Sequence, residues 1–312
     1  MTKIQWCTET WNPLVGCSKI SAGCSQCYAA KAAKSARLQQ FPQYQKVKDW
    51  DGTMRYAPAS YEFVENQLLK PLSWKSPKKV FVCSMSDIFH PRAENEWLNK
   101  IFAVMAMTPQ HTFQILTKRP ERMKEYLTDP KTVQRIGTWI AADLKPHYGL
   151  VGLNHSVFDK FRLPLPNVWL GTSTENQTTA DSRIPSLLQT PASVRFLSCE
   201  PLLESIDLNK CFRTSKDGYE LTWLDYLNLI IVGGESGSGA RPCHIDWIRS
   251  LVQQCQPTNV SVFVKQLGSN PIIAACYIDG VAATHQKLKL ADRKGGDINE
   301  FPEDLRVREF PA

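Results

Sequence analysis

Six short runs of apolar, largely β-branched residues recur along the chain, each ending in polar or glycine-rich residues. They are Lys79–Asp87, Thr112–Arg119, Asn167–Glu175, Ser193–Glu200, Asn228–Glu235 and Ser261–Gln266. Each has four to six residues of strand character, and most are apolar on both faces, as in strands covered on both sides of a parallel sheet. Helical patterns fall between them. Trp97, Leu98, Ile101, Phe102 and Met105 share one face, and Pro120 opens a second helix with Met123 and Leu127 on one side. Ile245, Ile248, Leu251, Val252 and Cys255 mark a third. A strand–helix alternation means right-handed βαβ units. With a short strand at Trp11–Val15, the pattern predicts an α/β chain built as a complete or partial (β/α) barrel, a doubly wound open sheet being the alternative.

The strand ends predict a site. They read Ser84-Met-Ser-Asp87, Thr117-Lys-Arg119, Ser173-Thr-Glu-Asn176, Cys199-Glu200, Gly233-Gly-Glu-Ser236 and Lys265-Gln266. Both architectures put chemistry at the C-terminal ends of parallel strands, and six polar ends in succession point to an enzyme. The core is expected over residues 1–267, with insertions at about 40–76 and 128–166 that cap or border the pocket and a C-terminal extension at 268–312. A helix is predicted near Val133–Leu144 and an alanine-rich one over Ala29–Gln39.

Composition narrows the class. With 312 residues, 43% hydrophobic and 21% charged, the chain is not disordered, collagen-like or a long coiled coil. It has no run of about 18 apolar residues and no basic-then-apolar leader at its start, so a cytoplasmic protein without a membrane partner is expected. Its ten cysteines are then reduced thiols or metal ligands rather than a disulfide framework. Of the net charge of +7, six arise between Tyr28 and Val80, where ten basic residues face four acidic ones among eight aromatics. A polyanion such as nucleic acid suits that stretch, and so does a solvated helix face followed by an aromatic-anchored loop.

Cys17, Cys24 and Cys27 stand as C-x6-C-x2-C in the loop after the first predicted strand. Three thiolates on one loop suit three irons of a [4Fe-4S] cluster whose fourth iron lacks a protein ligand. A structural zinc is the rival, with Cys7 available as a fourth ligand, and unconnected thiols are a third reading. His90 and His111, lone histidines without ligand spacing, are read as structural.

The cysteine loop, Tyr28 and the βα repeat resemble the radical S-adenosylmethionine superfamily, and most closely a phage-associated branch of it. That branch carries phrases like T-W-N-P-x-x-G-C at Thr10–Cys17, C-S-M-S-D-x-F-H at Cys83–His90 and L-T-K-R-P-E-R-M at Leu116–Met123. It shares W-L-G-x-S-x-E-N-Q at Trp169–Gln177, E-P-L-L at Glu200–Leu203, V-G-G-E-S-G at Val232–Gly237 and D-R-K-G-G-D at Asp292–Asp297. The commonest spacing in the superfamily is C-x3-C-x2-C; the gap of six here follows the branch.

The resemblance implies a barrel of the radical S-adenosylmethionine type, with Cys17, Cys24 and Cys27 as cluster ligands and reductive cleavage of S-adenosylmethionine to a 5′-deoxyadenosyl radical. It also implies an electron donor of the flavodoxin or ferredoxin type. On that basis Ser84, Ser86 and Asp87 are assigned to the methionyl amino group and Lys118 or Arg119 to its carboxylate. Ser173, Glu175 and Asn176 are assigned to the ribose, and Gly233 and Gly234 to close approach of the adenine. Glu200, Glu235, Lys265 and Gln266 are left to face cofactor or substrate, and Cys83 is a candidate hydrogen-atom donor. Phage association and the basic stretch point to a nucleobase, nucleotide or nucleic-acid substrate, with DNA base modification, rearrangement or repair as the outcome. The alternative is a non-catalytic zinc- or cluster-binding nucleic-acid-binding protein.

Overall fold

The computed structural model describes residues 4–47, 61–144, 162–214, 217–278 and 281–311. Residues 48–60 and 145–161, inside the two expected insertions, lie outside the described residues, and with them Lys48, Arg55 and Trp50 of the basic stretch. The chain divides into two compact units, Met1–Gly171 with Ser186–Val194, and Thr172–Pro185 with Arg195–Ala312.

The first unit opens with strands β1 (Glu9–Trp11) and β2 (Leu14–Val15), followed by the short helices α1 (Tyr28–Ala33), α2 (Ala36–Gln39) and α3 (Pro42–Gln45). Then come β3 (Glu62–Phe63), α4 (Glu65–Leu68), β4 (Lys79–Val82), α5 (Asn95–Met107), β5 (Thr112–Thr117), α6 (Pro120–Thr128) and α7 (Lys131–Trp139). β6 (Val168–Ser173) and α8 (Gln177–Leu188) each cross the division. The second unit continues with β7 (Val194–Cys199), β8 (Cys211–Thr214), β9 (Glu220–Thr222), β10 (Leu229–Gly233), β11 (Cys243–His244) and α9 (Ile245–Cys255). It ends with β12 (Ser261–Gln266) and the hairpin β13 (Pro271–Ile278) and β14 (Val281–Lys287).

All six predicted runs are strands. The fold is mixed α/β, with a seven-stranded parallel sheet in the order β1-β4-β5-β6-β7-β10-β12. The order follows the chain without the reversal that defines a doubly wound sheet, so it is compatible with a partial (β/α) barrel. Among the described residues, no helix is long and apolar enough to cross a membrane.

The reasons are local. Leu229, Ile230, Ile231 and Val232 are all buried, so β10 is covered on both faces, and burying each such side chain contributes about 1.5–3 kcal/mol. In α5, Leu98, Ile101, Phe102 and Met105 form the buried stripe. One side chain ties its C-terminal end to the turn that follows: the Asn167 amide donates to the carbonyls of Met105, Thr108 and His111 at 3.0, 3.3 and 3.1 Å.

Two helices differ from expectation. The alanine-rich segment is broken at Lys34–Ser35, because the Ser35 hydroxyl donates to Ala32 O and accepts from Leu38 N, which caps a new turn. α8 was not expected at all, since its polar sequence holds Pro185. The helix over Val133–Leu144 is present as α7 running into a π-helical turn at Ile140–Leu144.

Candidate functional site

The cysteine loop leaves β2 through Gly16, whose φ of +89° a side chain rarely adopts. Gly16 N donates to Met85 O at 3.2 Å, which stitches the loop to the turn after β4. That turn is tied back: Asn12 Oδ1 accepts from Ser84 Oγ and Met85 N, both at 3.1 Å, and Ser86 Oγ donates to Leu14 O at 2.8 Å. Its first residue, Cys83, holds φ of +59°, a sparsely populated conformation for a non-glycine residue. Burial pushes the Cys83 thiol up to about 12.

Cys17, Cys24 and Cys27 are half-buried, and none is in a disulfide. Cys27 O accepts from Lys31 N, and α1 lays Ala29, Ala30 and Ala33 against Val15, Tyr44, Val64 and Met85, with Cys17 and Cys27 packed on that cluster. The ring of Tyr28 is exposed while its hydroxyl donates to Ser84 O at 2.6 Å.

Asp87 is the hub behind the loop. Its carboxylate accepts from Thr117 Oγ1 at 2.6 Å, Lys118 N at 2.9 Å, Phe89 N at 3.0 Å and the Arg119 guanidinium at 3.0 Å. Arg119 in turn donates to Ser18 O, Ser18 Oγ and Cys17 Sγ at 2.9, 3.0 and 3.7 Å. Burial alone would lower its pKa, but Asp87 and Cys17 outweigh it and raise the value. Burial, then the Asp87 charge, pushes the Cys17 thiol up to about 12, and Cys24 adds to the rise. His90 also joins this network: it stacks on Tyr61 at 4.5 Å and pairs with Ser18 Oγ at 3.0 Å. Burial, with the Arg119 charge second, lowers His90 to about 4.

The three thiols fit an iron–sulfur cluster in kind. They lie on one loop, outside any disulfide, with a guanidinium N–H directed at the Cys17 sulfur. Among the described residues, no three His, Cys, Asp or Glu side chains are gathered into a metal-holding group.

The second unit carries the other predicted residues. Glu200 pairs with Lys265 at 3.0 Å. Glu235 is bound by Arg241 through a bidentate fork, at 2.6 and 3.0 Å. Glu175 is fully buried against Arg183 at 2.8 Å, and Arg183 also donates to Ser173 O. Asn176 caps α8, its Oδ1 accepting from Thr179 N at 3.0 Å. A Cβ on Gly233 would lie 2.8 Å from Gln266 O, and one on Gly234 2.4 Å from Leu267 O, so both glycines make room for the chain's own backbone. Gln266 Nε2 donates to Gly234 O at 2.8 Å. Cys199 is buried, with Thr174 Oγ1 3.3 Å from its sulfur.

Sequence reasoning did not single out Asn12 or Ser18, and it gave Thr117 no role beyond its place at a strand end, although all three sit inside or beside the quoted phrases. Polar residues next to a thiol loop or a strand end were the available signal. No curated protein matches the chain, and no solved structure does. The model of one protein family, described as "Protein of unknown function (DUF5131)", matches residues 1–299. The chain belongs to the DUF5131 family.

Proposed function

We propose that the chain is a radical S-adenosylmethionine enzyme whose [4Fe-4S] cluster is held by Cys17, Cys24 and Cys27. The observation that carries this reading is the set of three thiols outside any disulfide on one loop, whose Gly16 N donates to Met85 O just past β4 and whose Cys17 sulfur accepts from Arg119 just past β5. When bound, the cluster and S-adenosylmethionine supply one-electron cleavage of a carbon–sulfur bond and hydrogen-atom abstraction. The chain's own part is to hold, orient and exclude water. Three thiolates leave one iron without a protein ligand. Asp87 gives the loop a rigid backing through Thr117, Lys118 N and Arg119. With Arg119 committed there, Lys118 is the cation we assign to the methionyl carboxylate, and Ser84 and Ser86 are the acceptors we assign to its ammonium.

A nucleobase or nucleic acid is the substrate we favour, with base modification, rearrangement or repair as the reaction. From Thr10 to Lys48 the chain has no Asp or Glu. Lys31 on α1, Lys34 in the turn after it and Arg37 on α2 are exposed, between the exposed rings of Tyr28 and Phe41 in the sequence. Cationic groups with stacking rings suit a phosphate backbone and unpaired bases. The same basic face suits an acidic flavodoxin- or ferredoxin-type donor.

Anaerobic purification tests the reading. About four iron and four sulfide per chain are expected for a single cluster, with 5′-deoxyadenosine released when dithionite and S-adenosylmethionine are added. One zinc and no sulfide would replace it with the nucleic-acid-binding zinc protein. A full cluster that releases no 5′-deoxyadenosine would leave a cluster protein without this chemistry.

A further inference from the structure

We propose that Arg119 is a positioning residue for the sulfur donors: it clamps the Cys17 turn to the end of β5 and sets the potential of the cluster through an N–H on the Cys17 sulfur. This rests on the radical S-adenosylmethionine reading.

The geometry begins at the end of β5. Arg119 immediately precedes α6, and its backbone N donates to Thr117 Oγ1 at 2.9 Å, which fixes where the side chain starts. Its planar fork then divides. One terminal nitrogen reaches Asp87 at 3.0 Å and Cys17 Sγ at 3.7 Å; the other reaches Ser18 O at 2.9 Å and Ser18 Oγ at 3.0 Å. The loop residues it grips lie 102 and 101 positions away in sequence.

Two features separate this from an ordinary buried ion pair. First, Asp87 already accepts from Thr117 Oγ1, Lys118 N and Phe89 N, so the carboxylate is held independently and serves as a fixed post for the guanidinium. Second, three of the four side-chain hydrogen bonds of Arg119 land on Cys17 and Ser18 rather than on its counter-ion. Arg119 and Asp87 side chains are 9% and 8% exposed, so water does not substitute for these donors. A guanidinium can serve three acceptors in one plane, which an ammonium cannot.

Hydrogen bonds to cluster sulfurs and nearby charge are determinants of iron–sulfur potentials, and residues behind the ligands tune them. Reduction adds negative charge to the cluster, so a cationic donor at the Cys17 sulfur favours the reduced state. Its removal lowers the potential.

The test uses the full-length chain, reconstituted anaerobically, as wild type, Arg119→Lys and Arg119→Gln. Each is checked for fold by circular dichroism and for iron and sulfide, then titrated by electron paramagnetic resonance. We expect the midpoint potential to shift negative in Arg119→Lys and further in Arg119→Gln. Ser18→Ala leaves the Asp87 pair intact and weakens the clamp, so its shift has the same sign and is smaller; it serves if the arginine variants do not fold. Hydrogen exchange of the Gly16–Cys27 amides is expected to speed up in the same order. Folded variants with full iron, unchanged potential and unchanged exchange overturn the inference and leave the proposed function standing. A wild type that takes up no iron overturns both.

Discussion

The Lys265 ammonium stands 3.0 Å from the Glu200 carboxylate, and the pair closes over Gly233 in the strand between them. A Cβ at 233 would lie 2.9 Å from Glu200 Oε1 as well as 2.8 Å from the Gln266 carbonyl. Backbone on one side and an ion pair on the other leave a methyl group nowhere to go.

Gly233→Ala is therefore expected to destabilise the chain by about 1–3 kcal/mol, the usual cost of overpacking. Gly137 is the control of opposite sign. It lies inside α7, and a Cβ there meets nothing within 4 Å. Gly137→Ala should stabilise by about 0.5–1 kcal/mol through helix propensity and a less flexible unfolded chain. Urea unfolding midpoints read both; equal midpoints for the two variants would contradict the packing at 233.

His90 predicts an acid-side loss of stability. Its folded pKa of about 4 lies below the ordinary histidine value of 6.5, so between those values the unfolded chain binds the extra proton. The contribution is whole above 6.5 and falls away as the pH drops, by about 3 kcal/mol at pH 4. His90→Asn should flatten the stability profile in that window relative to wild type. Parallel profiles from pH 7 to pH 4 would show that His90 does not titrate this way.

Cys24→Ala should abolish cluster uptake while the far-ultraviolet circular dichroism stays as in wild type. The core strands are packed without that sulfur, which lies 3.9 Å from Ser21 Oγ. A collapsed spectrum would instead mark a structural metal.

Charge reversal of Lys31, Lys34 and Arg37 should weaken binding to single-stranded DNA and reduce the slope of log affinity against log salt by about 2. These three are better probes than Lys46, which is paired with Glu62 at 3.1 Å. An unchanged slope would remove the polyanion from the proposed function.

Most of the sheet was legible because six of its seven strands lie in apolar, largely β-branched runs, and parallel strands covered on both faces need no alternation; β1, Glu9–Trp11, is not such a run. α8 was hidden: its start depends on the Asn176 side chain, and its apolar positions are few and interrupted by Pro185. That Cys17, Cys24 and Cys27 share one stretch between β2 and α1 was readable from their spacing. The strand-end residues were not, since a polar residue at such a place reads the same whether it faces a ligand or its own chain. Glu235 with Arg241, Glu175 with Arg183 and Asn176 with Thr179 are all taken up internally. Arg119 illustrates the limit from the other side, because a bond to a sulfur 102 residues away leaves no local pattern.

The loop is anchored through Gly16 N, the Cys27 carbonyl and Ser18, groups that need no iron to do their part. Under the proposed function, maturation then has a natural order: the polypeptide reaches its native shape first and receives its cluster afterwards. Chains made under iron starvation would accumulate as a stable, fillable pool rather than as misfolded waste.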